Sequence, residues 1–377
     1  MLQKLPRAYE TLDNYLKPNK ALIIYGARQV GKTTLVKHYL ANTQYKYKFE
    51  TGDNIQAQEL FSIPDLNVLK EYIAGYQLLV IDEAQKIKNI GQVMKLLIDN
   101  ISGLMIIATG SSSFDLAGQV GEPLTGRKTT LTLFPIAQLE LSKLYNTYEL
   151  KTQLENIIIY GSYPEVITAE LEKDKRQFIT EIMQSYLLKD ILSLDRIKDP
   201  KFLLDLLRLL AFQLGNQVSL SELAKSLALD YKTIARYLDL LEKSFVIYNL
   251  RGFSRNLRKE ITKKSKYYFY DNGIRNAIIS NFNPIKLRND LGALWENFII
   301  MERYKKQVYQ GINVNNYFWR TWDQQEIDFV EERDGKLFGF EIKWQKETIR
   351  KPKDWLQTYD NAEFALINQT NFLEFVL

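Results

Sequence analysis

The chain has 377 residues, of which 46% are hydrophobic and 25% charged, and its formal net charge is +5. This length predicts two or three domains, and the composition is that of a folded globular protein, not a disordered, collagen-like or disulfide-linked one. There is no cysteine and one histidine, His38, which excludes disulfides, thiolate catalysis and zinc sites of the cysteine or multi-histidine type. Any chemistry therefore uses carboxylates, lysines, hydroxyls and backbone amides.

The apolar runs are short. Runs such as those at residues 78–81 and 104–108 fall well below the roughly 18 residues that cross a bilayer. The first ten residues lack the apolar stretch of a secretory signal. These features predict a cytoplasmic protein that does not contact the membrane.

In chain order, the first 135 residues alternate short apolar runs with amphipathic stretches. Residues 21–25, 78–81 and 104–108 are typical of buried parallel strands in an α/β sheet. We expect this α/β unit at 1–135, a mainly helical unit at 136–199 that is broken around 161–164, a third unit at 200–280 and a fourth at 281–377.

The run GARQVGKT directly follows the first predicted strand and matches the phosphate-binding pattern G-x-x-x-x-G-K-[ST]. Its backbone amides would converge on phosphate oxygens, Lys32 would pair with the β and γ phosphates, and Thr33 would bind Mg²⁺. A turn without function is the alternative. The predicted nucleotide-binding residues are Gly26, Ala27, Arg28, Gln29, Val30, Gly31, Lys32, Thr33 and Thr34.

The run LLVIDE ends a second predicted strand with two carboxylates. We expect Asp82 to hold Mg²⁺ and Glu83 to polarise the attacking water, as in other phosphoryl-transfer sites. A buried strand that simply ends in a polar loop is the alternative.

Two further sites are candidates for the same reaction. Ser111, with Thr109 as second choice, follows the third strand, where a hydroxyl could orient water or sense the γ phosphate. Arg127 precedes a strand predicted at 130–134 and could supply positive charge to a neighbouring subunit of a homo-oligomer. The alternatives are a hydroxyl-rich loop without such a function for Ser111 and a solvated surface position for Arg127, and a surface or packing role is expected for His38.

Together, GARQVGKTTL, LLVIDEAQKI, TGSSSFDL, the Gly126-Arg127 pair and GSYPEV resemble a group of prokaryotic AAA-like ATPases. Their carboxyl-terminal region is described as a domain of unknown function related to restriction endonucleases. The resemblance implies ATP as the nucleotide, a helical lid at 136–199 and a nuclease-like fold at 281–377.

The third unit contains a helix-turn-helix pattern. Ser219 and Glu222 form a predicted capping box, and a second helix from Tyr231 is expected to expose Lys232, Thr233, Arg236 and Tyr237. With a strand at 245–250 this predicts a winged helix. Residues 251–266 hold seven basic residues and one acid, so DNA phosphates are a candidate partner; a solvated loop or a protein contact is the alternative.

The fourth unit carries Asp328 and, beyond an Asp334-Gly335 turn, Glu341 and Lys343, after a helix predicted at 294–304. Folding about the turn pairs Asp328 with Glu341 and Glu326 with Lys343 on one face, and turns Ile327, Phe329, Phe340 and Ile342 to the other. Two facing carboxylates favour a cation between them. A second Mg²⁺ site of the nuclease type, with Glu296 as a further ligand, is one interpretation; a solvated charged face is the other.

The sequence therefore predicts an α/β protein: an AAA-like P-loop NTPase core with a parallel sheet, a helical lid, a winged helix and a C-terminal α/β restriction-endonuclease-like domain. The leading hypothesis is a Mg²⁺-dependent ATPase coupled to DNA binding, with DNA cleavage as a candidate second activity. The alternative is an ATP-dependent switch that acts on a protein partner, with a non-catalytic terminal domain.

Overall fold

The computed structural model describes residues 5–111, 123–185, 200–253, 265–321, 325–349 and 352–377. Two sheets organise these residues, one of five strands and one of seven. The strands are β1 Lys20–Tyr25, β2 Tyr47–Thr51, β3 Leu78–Asp82, β4 Met105–Gly110, β5 Lys128–Thr132, β6 Gln217–Val218, β7 Ile247–Gly252, β8 Ser265–Phe269, β9 Asn315–Arg320, β10 Glu326–Arg333, β11 Lys336–Ile342 and β12 Ala362–Ile367.

Helices cover both sheets. The α-helices of the described segments are α1 Lys32–Leu40, α2 Ile55–Ser62, α3 Leu66–Tyr72, α4 Ile90–Asn100, α5 Gln138–Leu141, α6 Thr147–Tyr160, α7 Pro164–Thr168, α8 Glu172–Gln184, α9 Pro200–Phe212, α10 Leu220–Leu227, α11 Tyr231–Lys243, α12 Asn272–Ile278, α13 Leu291–Gln310, α14 Lys353–Thr358 and α15 Phe372–Val376. In the described part of the chain, none of them is long and apolar enough to cross a membrane.

The first sheet has the strand order β2-β3-β4-β1-β5, and all of its pairings are parallel. The parallel α/β core expected from the sequence is thus confirmed. Strands β1, β3 and β4 are buried along almost their whole length, which explains their unbroken apolar runs. Because β1 lies between β4 and β5, the loop after β1 emerges in the middle of the sheet's carboxyl edge.

The second sheet has the order β12-β11-β10-β9-β7-β8-β6. Strand β7 pairs in parallel with β9, with Arg251 opposite Tyr317, so this sheet runs without a break from the third expected unit into the fourth. The boundary expected at residue 280 therefore falls between elements that share one sheet.

Helices α10 and α11 form a helix-turn-helix beside strands β6, β7 and β8. Ser219 caps α10 by accepting a hydrogen bond from the Glu222 amide, and Lys232 and Arg236 are exposed as expected. Tyr237 is only 4% exposed, so its predicted outward position is wrong. It follows Ile234 by three residues and joins the buried stripe of the helix.

The basic run at 251–266 is described only at its ends. Arg255, Arg258, Lys259, Lys263 and Lys264 lie outside the described residues. Arg251 is exposed, whereas Lys266 is 1% exposed and contacts carboxylates of the second sheet. Lys266 therefore is not available to a DNA phosphate, contrary to expectation.

Candidate functional site

A cleft of about 490 Å³ opens at the carboxyl edge of the first sheet, where the loop after β1 meets the ends of β2 and β3. It is lined by Arg28, Gln29, Gly31, Lys32, Thr33, Thr34, Asp53, Asp82, Glu83, Lys86, Pro164 and Glu165. The sequence thus brings the predicted phosphate-binding loop and both carboxylates of the LLVIDE run into one cavity.

Lys32 lies at the first position of α1, directly after Gly31 with its left-handed backbone. Its Nζ donates to the carbonyl oxygens of Gly26 and Ala27 at 3.0 and 2.8 Å, and the residue is 4% exposed. The loop therefore curls around its own lysine, and the ammonium group and the amino end of α1 both offer positive charge to an anion in the cleft.

Thr33 and Asp82 meet at the floor of the cleft. Thr33 Oγ1 donates to the carboxylate of Asp82, with distances of 3.1 Å to Oδ1 and 2.9 Å to Oδ2. A hydroxyl and a carboxylate are hard oxygen donors of the kind that Mg²⁺ accepts beside nucleotide phosphates. These two residues fit a magnesium ion, as their predicted role requires.

Glu83 has a left-handed backbone with φ of 51°, which is uncommon for a residue other than glycine. Its amide donates to Thr109 Oγ1 at 3.1 Å, and Gln85 Nε2 donates to its Oε2 at 2.6 Å. Such strained positions cluster at functional sites. Glu83 thus lines the cleft with its backbone amide bound by Thr109 and its carboxylate bound by Gln85.

Thr109, at the end of β4, also donates its hydroxyl proton to Asp82 Oδ1. Its side chain therefore connects Asp82, the last residue of β3, with Glu83, the residue that follows the strand. Ser111, the first choice from the sequence, is 3% exposed and is not among the cleft-lining residues. The contact with the predicted metal ligand is made by Thr109.

Four further residues that line the cleft were not predicted from the sequence: Asp53, Lys86, Pro164 and Glu165. Asp53 and Lys86 form an ion pair at its edge. Pro164 and Glu165 belong to GSYPEV, which the sequence indicated as a break between helices and as part of the family resemblance, with no role in the site. Their distance of over 130 residues from the phosphate-binding loop leaves no local signal of proximity.

Arg127 lies at the opposite edge of the first sheet. Its carbonyl accepts from the Ala21 amide at the start of β1, whereas the phosphate-binding loop follows the end of that strand. Strand β1 separates the two ends by roughly 15–20 Å. Its side chain pairs with Asp99 at 2.6 Å. Arg127 is thus not part of its own chain's cleft, and a role in a neighbouring subunit remains a prediction.

A second cluster of charged groups lies on the hairpin of β10 and β11. The hairpin pairs Phe329 with Phe340 and Arg333 with Lys336, which is the predicted register. Lys343 Nζ contacts Asp328 Oδ2 at 2.9 Å and Glu341 Oε1 at 2.8 Å. Burial raises the pKa of Glu341 and nearby Asp328 raises it further, so the lysine relieves a repulsion between these two carboxylates.

The predicted apolar face of β10 is only partly correct. A bulge between Ile327 and Val330 shifts the pairing of β10 with β9. Ile327 packs with Val330 and Trp355 in one cluster, while Phe329, Phe340 and Ile342 belong to the main core. The bulge places an extra residue in the strand, so Ile327 and Phe329 face different cores.

Glu296, on α13, joins this charged cluster but has partners within the chain. Tyr268 donates to Glu296 Oε1 at 2.6 Å, and Lys266 Nζ lies 3.4 Å from the same oxygen and 2.6 Å from Glu326 Oε1. Burial raises the pKa of Glu296 to about 7, although the Lys266 ammonium group opposes the shift. We call Lys266, Glu296, Glu326, Asp328, Glu341 and Lys343 the carboxylate–lysine cluster.

In the folded chain, the side chains of the carboxylate–lysine cluster are not arranged as a metal-binding site. Among the described residues, no group of three or more acidic or histidine side chains is arranged so that it could hold a metal ion. Two ammonium groups, from Lys266 and Lys343, stand between the carboxylates instead. A second Mg²⁺ at Asp328, Glu341 and Glu296 remains a prediction.

Comparison with known proteins finds family models that match three parts of the chain. Residues 18–142 match the model of an AAA domain, which supports a P-loop ATPase core in this part. Residues 151–285 and 291–371 match two domains of unknown function, DUF8612 and DUF4143.

Uncharacterized proteins and a solved structure are also similar to most of this chain. An uncharacterized protein of Mycobacterium tuberculosis is 28% identical over 326 residues, covering 85% of this chain and 70% of that protein. An uncharacterized protein of Haemophilus influenzae is 24% identical over 376 residues, covering 92% and 88%. A solved Walker-type ATPase of Pyrococcus abyssi is 17% identical and covers 72% of this chain and 93% of its own, with a TM-score of 0.46.

Proposed function

We propose that this chain, whose residues 18–142 match the model of an AAA domain, binds ATP with Mg²⁺ in the cleft at the end of β1 and hydrolyses it. The observation that carries the proposal is the contact of Thr33 Oγ1 with both carboxylate oxygens of Asp82, beside Lys32 and Glu83 in one cavity. Together these residues supply the phosphate clamp, the metal ligands and a base.

Each residue has a separate task in this proposal. The loop from Gly26 to Thr34 and the Lys32 ammonium bind the β and γ phosphates. Thr33 and Asp82 hold Mg²⁺, which when bound neutralises phosphate charge. Glu83 accepts a proton from the attacking water, and Thr109 keeps Asp82 and Glu83 in place through its hydroxyl.

The direct experiment measures phosphate release from ATP with Mg²⁺ by the wild-type chain and by Lys32→Ala. We expect turnover by the wild type and background release by the variant, because the variant loses the cation that faces the phosphates. A full rate in Lys32→Ala would disprove the assignment of this cleft.

A second candidate function is action on DNA, coupled to ATP turnover. Two observations favour it: Asp328, Glu341 and Lys343 meet on the hairpin, and Lys232 and Arg236 are exposed on the second helix of the helix-turn-helix. The nuclease interpretation would need the two carboxylates to hold Mg²⁺ in place of their present contacts with Lys343, whose ammonium group would then stabilise charge on the phosphate oxygens.

This candidate is tested with supercoiled plasmid and Mg²⁺, comparing wild type with Glu341→Ala, and by the ATPase rate with and without DNA. Nicking that the variant loses supports cleavage, and a DNA-stimulated ATPase rate supports coupling. No nicking, no stimulation and no DNA binding at low salt favour an ATP-dependent switch that acts on a protein partner.

A further inference from the structure

The turn at 161–163 leads directly into the cleft. It connects α6 to α7, and the first two residues of α7, Pro164 and Glu165, line the cavity opposite the phosphate-binding loop. The position of this turn therefore determines the position of Pro164 and Glu165, which form one wall of the cleft.

Asp271 holds the turn from a distant part of the chain. Its Oδ2 accepts from the Ser162 amide at 2.7 Å and from Ser162 Oγ at 3.3 Å, across 109 residues. Gly161 has φ of 83°, and a Cβ there would lie 1.9 Å from Asp271 Oδ1. The turn and the carboxylate are so close that only glycine fits at position 161.

The same aspartate is the N-cap of α12. Its Oδ1 accepts from the amides of Gly273 at 2.8 Å and Ile274 at 3.2 Å. One carboxylate oxygen of Asp271 therefore binds the amino terminus of α12, and the other binds the turn at 161–163. Because Asp271 is 5% exposed, water does not readily replace either set of bonds.

The remaining polar groups of Ser162 also have distant partners. Its carbonyl accepts from the Ile136 amide at 2.8 Å, and Lys305 Nζ donates to its Oγ at 3.4 Å. Lys305 is paired with Glu302 at 2.7 Å on α13. The wall of the cleft is consequently held by Ile136, within the matched residues 18–142, and by Asp271 and Lys305 outside them.

We infer that Asp271 is a positioning residue for the nucleotide: by binding Ser162 it places Pro164 and Glu165 against ATP in the P-loop cleft. This inference rests on the proposed ATP binding. Contacts from this wall act on bound ATP before and during hydrolysis alike, so their loss raises KM for ATP and leaves kcat nearly unchanged.

The test is Asp271→Asn in the full chain, with steady-state ATPase kinetics and calorimetric ATP titration. Asparagine is as good an N-cap as aspartate, but it has one acceptor oxygen for two sets of donors. We expect KM and Kd for ATP to rise about tenfold, the equivalent of one strong hydrogen bond, and kcat to stay within about twofold.

A matched control separates positioning from loosening of the same interface. Asn276, also on α12 and fully buried, donates to the carbonyls of Ile158 and Ile159 at the end of α6 without touching the turn. We expect Asn276→Ala to lower the melting temperature but leave KM for ATP unchanged. Ser162→Ala, which keeps the amide donor, should raise KM by about two- to threefold.

The outcomes of these measurements distinguish failure of the proposed function from failure of the inference. A wild-type chain that does not bind ATP disproves the proposed function and this inference together. If the wild type binds ATP and the KM for ATP is unchanged in Asp271→Asn, the inference is overturned and the proposed function is not. An equal rise of KM in Asn276→Ala also overturns it, because the effect would then be general loosening. If Asp271→Asn does not fold, an unchanged KM in Ser162→Ala overturns the inference.

Discussion

The backbone of Gly52 lies against the carbonyl group of Glu83: a Cβ at position 52 would stand 2.3 Å from that oxygen. The Gly52 amide in turn donates to the Asp82 carbonyl at 2.8 Å. Gly52, the residue after β2, therefore packs against the backbone of Asp82 and Glu83. Neither the phosphate-binding pattern nor the LLVIDE run includes Gly52.

We predict that Gly52→Ala lowers kcat for ATP hydrolysis at least tenfold, since displacement of a catalytic group by about 1 Å costs up to roughly 100-fold. Steady-state kinetics check this. Gly292→Ala is the control, because an added Cβ there meets nothing within 4 Å. Equal kinetics of Gly52→Ala and the control would show that Glu83 tolerates the displacement.

Glu83→Gln separates binding from chemistry. Glutamine has the same shape but accepts no proton from water, so we expect ATP hydrolysis to fall by roughly 100-fold or more while Kd for ATP changes little. Titration calorimetry and phosphate release measure the two quantities. Glu71→Gln, an exposed residue of α3, is the control. If Glu83→Gln hydrolyses ATP normally, another group is the base.

Glu296 makes folding stability depend on pH. Burial raises its pKa from 4.5 to about 7, so between these values the folded chain binds more protons than the unfolded chain. The stability this provides is complete below about pH 4.5 and is lost as the pH rises through 7. We expect Glu296→Gln to remove roughly 2–3 kcal/mol of the decline in unfolding free energy between pH 5 and 8.

Urea unfolding in buffers with EDTA measures that slope without metal ions. The same decline with pH in wild type and Glu296→Gln would mean that other groups, such as Glu341, cause it.

Arg303 and Glu331 form a buried ion pair between α13 and β10. Arg303 Nη2 donates to Glu331 Oε2 at 2.9 Å, Gln307 donates to Oε1 at 2.8 Å, and Glu331 has no exposed surface. Glu331→Gln leaves a buried guanidinium without its counter-charge. We expect the unfolding free energy to fall by about 3–5 kcal/mol.

Denaturant unfolding tests this pair. Asp205→Asn breaks an exposed pair with Arg208 and should change stability by less than about 0.5 kcal/mol. Similar losses in both variants would contradict the role given to burial.

Much of the first sheet could be predicted because its central strands are continuous apolar runs that end in chemically specific residues. Strand β2 was missed: Tyr47–Thr51 is half exposed at the sheet edge, and YKFET shows neither an apolar run nor clean alternation. The contacts of Asp271 with Ser162 and of Gly52 with Glu83 join distant segments, so no local pattern carries them. The hairpin register was predictable because Asp334-Gly335 fixes it locally, but the bulge at Ile327 depends on pairing with β9.

The proposal that the cleft after β1 hydrolyses ATP through Lys32 is decided by one comparison, phosphate release from ATP and Mg²⁺ measured side by side for the wild type and Lys32→Ala. We expect turnover by the wild type and release at the background rate by the variant. Equal rates in both, or no turnover by the wild type, would contradict it.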